Sequence, residues 1–117
     1  MNTNPIVWVI KEQMVRNDLG SNPMDYSPAM AYGEIEFITR TDMPLHPKSQ
    51  VQLKWDEDVQ KFAGKYDPEV DFIIATGQPT AIFAVGHALG LLNKTPRYLV
   101  WRREDNHYRV LETTIQQ

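Results

Sequence analysis

A small mixed α/β fold, one mixed sheet packed by one or two helices and ending in a β-hairpin, is predicted by three observations. Two β-branched and aromatic runs, "IVWVI" at Ile6–Ile10 and "VDFIIATG" from Val70, read as buried strands. The stretch after Pro79 carries a broad apolar face at helical spacing. Finally, "RYLVWRREDNHYRVLETTI" holds two strand-like runs around a polar turn near Glu104–His107, the economical form of a hairpin. A chain of 117 residues suits a single compact domain, 1–117.

Taken in order, the first strand follows Pro5, and the signals then reverse. Between Val15 and Tyr32, Gly20, Pro23 and Pro28 with their Asn and Asp neighbours show no steady period, so a long irregular connection is expected. "GEIEFITRT" alternates, with Ile35, Phe37 and Thr39 on one face and Glu34, Glu36, Ile38 and Arg40 on the other; Ile38 is the apolar exception on the wet face. "DMPLHP", Asp42–Pro47, ends that strand because its prolines remove donors.

Residues 49–66 admit two readings. A helix would be capped by Ser49, would align Val51, Trp55, Val59 and Phe62, and would carry Lys65 at its favourable end. The preferred reading makes "QVQLKW" a short strand and starts the helix at Asp56, so that Asp56, Glu57 and Asp58 occupy the first turn. A turn at Asp67 and Pro68 precedes the strongest strand, and a helix from Pro79 to about Leu92 follows, with proline at its first position, where a missing donor costs nothing.

Composition excludes several functions. There is no cysteine, hence no disulfide, thiolate metal site or cysteine nucleophile, which fits a reducing compartment such as the cytoplasm. A net charge of -3 gives no long-range pull on nucleic acid. The N-terminus lacks the features of a signal peptide. Phe72–Leu92 is long enough to span a bilayer, but Gln78, Pro79 and His87 interrupt it, so no membrane role is expected.

The order strand, Gly77, helix can bind anions through unpaired N–H groups, with Gln78 and Thr80 adding side-chain bonds; these three residues are the candidate ligand site. No glycine-rich phosphate motif supports it, and Pro79 deletes a donor, so the preferred reading is a turn relieved by glycine. Gly86 and Gly90 are expected to admit close packing of the helix against a sheet, a second helix or a second copy of the chain. His87 could act as a base beside Asp71 or Asp42, but a half-buried histidine bonded to a carbonyl is preferred. Histidine spacing suggests no metal site, no serine stands in a nucleophile motif, and no cofactor is expected.

The hairpin is the leading contact surface. From Lys94 onward five basic residues face three acidic ones, whereas the preceding chain has seven against twelve. Tyr98, Trp101, Arg102, Arg103, Tyr108 and Arg109 form the candidate interface, an aromatic and arginine set suited to a protein partner or to stacking on an unpaired base. The competing reading is that the aromatics complete the core while the arginines solubilise the hairpin. Met14, Met24, Tyr26, Met30 and Tyr32 in the first loop offer a second surface, or else cover the domain's own sheet.

"DFIIATGQP", the small-residue helix and "YLVWRREDNHYRVLE" together resemble a pattern in short, uncharacterised bacteriophage proteins, over Asp71–Ile115 and not the first half. Gln78 stands where that pattern has an acidic residue, and "WRRED" where it has tryptophan, aspartate and arginine. The resemblance implies a small viral accessory protein acting by contact with a host or viral protein, in the host cytoplasm. A homodimer is expected, and a nonenzymatic role is favoured. The alternatives are a nucleic-acid binder or a nucleotide-binding enzyme using the Gly77 turn.

Overall fold

The computed structural model describes residues 4–17, 20–46 and 49–115. Strands β1 (Ile6–Val9), β4 (Glu34–Phe37), β5 (Phe72–Ile74), β6 (Arg97–Arg102) and β7 (His107–Glu112) form one sheet in the order β4-β1-β5-β6-β7. The first four run parallel, and β7 returns antiparallel to β6. Helices α1 (Gln50–Lys65) and α2 (Pro79–Leu91) supply the crossovers β4 to β5 and β5 to β6. The predicted fold class and its closing hairpin are therefore present.

Pleating divides the core. Trp8, Ile38 and Ile73 pack beneath Trp55, Val59 and Phe62 of α1 and Ala81, Val85 and Leu89 of α2. Val7, Val9, Phe72, Ile74 and Leu99 point the opposite way, under Tyr26, Ala29 and Tyr108. β1 and β5 are covered on both faces, which explains their unbroken apolar runs. Ile38 is buried on the helical side, so the apolar exception in the alternation marks a residue that α1 covers.

Two segments differ from the sequence reading. Residues 50–55 are the start of α1, not a strand: Ser49 Oγ accepts from Gln52 N at 3.1 Å, and the Trp55 indole donates to Thr41 O at 3.2 Å. The alternation at Val51, Leu53 and Trp55 misled because only Trp55 reaches the core, while Val51 and Leu53 stay exposed. The connection from Val15 to Tyr32 is also more ordered than expected. It holds an antiparallel ribbon, β2 (Met14–Asn17) with β3 (Gly20–Pro23), separate from the main sheet, and a 3-10 turn at Ser27–Ala31. Pro47, at the end of the expected loop, lies outside the described residues.

One buried carboxylate ties the layers together. Asp71 accepts from Ile6 N (3.0 Å), Trp8 Nε1 (3.2 Å) and Asp67 N (2.9 Å), fixing β1, the helical core and the turn before β5. The Tyr66 hydroxyl accepts from Arg97 N at 2.9 Å and donates to Asp71 O at 3.4 Å, bringing β6 into the same knot. Lys94 Nζ caps the end of α1 by donating to Ala63 O (2.7 Å) and Gly64 O (3.1 Å).

Among the described residues, the glycines of α2 do not serve close packing. A methyl group placed on Gly86 or Gly90 would meet nothing within 4 Å, because both lie on the outer face with Phe83, itself 79% exposed. Residues 72–92 divide into β5, a turn and the 13-residue α2, and among the described residues no helix is long and apolar enough to cross a membrane.

Candidate functional site

Strand register sorts the hairpin residues. Trp101 lies opposite Tyr108 and Leu99 opposite Val110, so these four share the face that carries Tyr26. Val100 opposes Arg109, Tyr98 opposes Leu111, and Arg102 opposes His107; this set points to the helical side. The six residues singled out from sequence thus occupy two faces of one hairpin, with Arg103 in its loop.

Their environments differ. Trp101 is 42% exposed and held edge-on to Tyr108, ring centroids 5.1 Å apart. Tyr108 is buried, and burial raises its hydroxyl pKa, with the Asp25 charge adding to the effect. Tyr98 is half-buried against the helical core. Arg102 pairs with Glu104 (3.8 Å) and Asp105 (3.6 Å), and Arg109 pairs with Asp105 (3.8 Å). These exposed pairs orient the guanidinium groups more than they stabilise the fold. Arg103 is exposed and makes none of them.

The sequence reading did not include Val100, Val110 and Leu111 in the surface, yet each is exposed. Their signal was present in the alternation of β6 and β7: on the helical side α2 covers Tyr98 but leaves Val100 and Leu111 open, and Val110 is exposed on the face that carries Tyr26. Arg97, by contrast, belongs to the core wall, with its guanidinium 4.2 Å above the Phe72 ring and 3.7 Å from Glu112.

The turn before α2 adjoins this surface. A cavity of about 290 Å³ is lined by Ala75 and Thr76 after β5 and by Val100, Trp101 and Tyr108 of the hairpin. Gly77 has φ 107°, a conformation that favours glycine, whereas a Cβ there would displace only the flexible end of Gln13, whose Nε2 lies 2.7 Å away. Gln78 spends its amide on the loop before α1, accepting from Met43 N (2.8 Å) and donating to Met43 O (3.2 Å). Thr80 is exposed at the first turn of the helix. Gln13 and Gln78 therefore line the strand-to-helix turn with side chains already engaged inside the chain.

His87 is exposed on α2, with no carbonyl bonded to it among the described residues, and Asp71 and Asp42 are occupied elsewhere, the latter by Lys11 at 3.2 Å. Among the described residues, no three of His, Asp and Glu gather where they could hold a metal ion. In the first loop Tyr26 is buried, Met24 and Tyr32 pack against the sheet, and Met14 and Met30 are exposed. That segment mainly covers the sheet.

The family described as "Phage Pam3 gp32-like protein" matches residues 5–115, which extends the likeness through the first half of the chain that the sequence reading left unmatched. No curated protein and no solved structure matches.

Proposed function

Since the chain belongs to the phage Pam3 gp32-like family, we propose that it is a small viral accessory protein working by protein–protein contact, as a modulator of a host or viral protein. The observation that supports this reading is Trp101: a large aromatic side chain, partly open to solvent, steadied by Tyr108 on a face it shares with exposed Val110, while exposed Val100 and Leu111 lie on the hairpin's other face. Aromatic anchors with arginines at their margin are the residues that dominate protein interfaces. Arg103, in the loop two residues on, supplies that margin here, while Arg102 and Arg109 lie on the hairpin's other face. The protein acts in the host cytoplasm as one domain, and as a homodimer if the hairpin or α2 meets its own copy.

The test compares the wild-type chain with Trp101→Ala as bait in lysate of infected host cells, with quantitative mass spectrometry of what each retains. A protein held by the wild type and lost by a folded Trp101→Ala variant supports the proposal. Equal retention by both overturns it, as does tight binding of oligonucleotides at low salt, where backbone contacts are strongest.

A further inference from the structure

We propose that the open edge of β4, with the groove between it and α1, receives an extended acidic segment of a partner protein as an added strand. β4 ends the sheet. Glu34 N donates to Pro5 O (3.2 Å) and Ile38 N to Val9 O (2.8 Å), so in the parallel pattern the intervening Ile35 and Phe37 turn their N–H and C=O groups away from β1. Among the described residues, nothing bonds them. At the opposite edge the Tyr108 carbonyl is already taken by Tyr32 Oη at 3.0 Å.

The groove gives this edge a direction and a chemistry. Two adjoining cavities, about 670 and 200 Å³, run beside β4 and share Phe37, Ile38 and Asp58. The larger has Val51 and Trp55 of α1 as an apolar wall, and the smaller is lined by Lys61 and Lys65 with Glu36. Asp58 is bonded by Lys54 at 2.6 Å, which leaves two lysines facing one carboxylate at that end. An incoming strand would place alternate side chains over the groove, an apolar one at Val51 and Trp55 and a carboxylate at Lys61 and Lys65.

The probe is the labelled heptapeptide Thr-Glu-Thr-Leu-Thr-Glu-Thr, whose palindrome serves either strand direction, with a lysine-for-glutamate control. Binding is read by anisotropy at low salt and by amide exchange in the full chain. The acidic probe is expected to bind and to slow exchange at Ile35 and Phe37. The control and the Lys61→Glu, Lys65→Glu double variant are expected to bind about tenfold more weakly or worse. Phe37→Pro, which removes an edge N–H that the sheet does not use, should abolish the slowed exchange. If that variant fails to fold, the double variant and the exchange data decide. Equal binding of both peptides, no binding, or binding that leaves Ile35 and Phe37 unprotected overturns the proposal. So does a dimer that Phe37→Pro dissolves, which would assign the edge to a second copy.

Discussion

Asp71 shows what one side chain contributes to this fold. Its carboxylate satisfies three donors from different parts of the chain, and removing it strands Ile6 N, Trp8 Nε1 and Asp67 N in or near the core. Asp71→Ala is expected to lower stability by about 3 kcal/mol in chemical denaturation, with Asp71→Asn losing less. Burial pushes the Tyr66 hydroxyl up to about 12 from 10.0. The folded state therefore favours the neutral phenol: this contribution is complete below pH 10 and disappears as pH rises toward 12, which absorbance titration alongside alkaline unfolding will show. Trp8 and Trp55 are buried while Trp101 is not, so acrylamide should quench one accessible tryptophan component, and Trp101→Phe should remove it. At this scale the sequence could place Asp71 ahead of a strand, but its partner Ile6 lies 65 residues away and no local pattern reports such a bond.

Elements were legible where periodicity and punctuation agree. β1, β5, α2 and the hairpin each combine a clear period with proline, glycine or a polar turn at the boundary. Asn93, with φ 56°, ends α2 in the left-handed conformation that asparagine tolerates. The beginning of α1 was ambiguous because Val51 and Trp55 fit both patterns, and of the residues that decide between them Leu53 is exposed while Val59 and Phe62 are buried. Ser49→Ala should cost about 1 kcal/mol through loss of the cap, a change that a strand at residues 50–55 would not suffer. Gly86→Ala and Gly90→Ala should each stabilise the isolated protein by about 0.5–1 kcal/mol, since helix propensity improves and the added methyl meets open space. Denaturation of the two variants checks this. The β2–β3 ribbon was hidden because Gly20, with φ 114°, and Pro23 read as turn residues, while they serve here as the ends of a short strand.

At the scale of the molecule, both helices lie on one side of the sheet, and the segment Met24–Tyr32 closes the other. The acidic total and the basic end visible in the composition do not translate into a free cationic track: Arg97, Arg102 and Arg109 are bound to neighbouring carboxylates. The sequence reading singled out the hairpin and passed over the β4 edge, because an unpaired backbone group leaves no mark on residue type.

The strand order has a further consequence for how the protein is made. β1 precedes the other strands of its sheet in the chain, yet it sits between β4 and β5, and the carboxylate that holds its first residue comes 65 positions later. Until α1 and β5 have been synthesised, β1 has one flank and one face uncovered, so a nascent chain stopped before Ile74 should remain open to proteases. The strand made before the rest of its sheet is among the last to be enclosed.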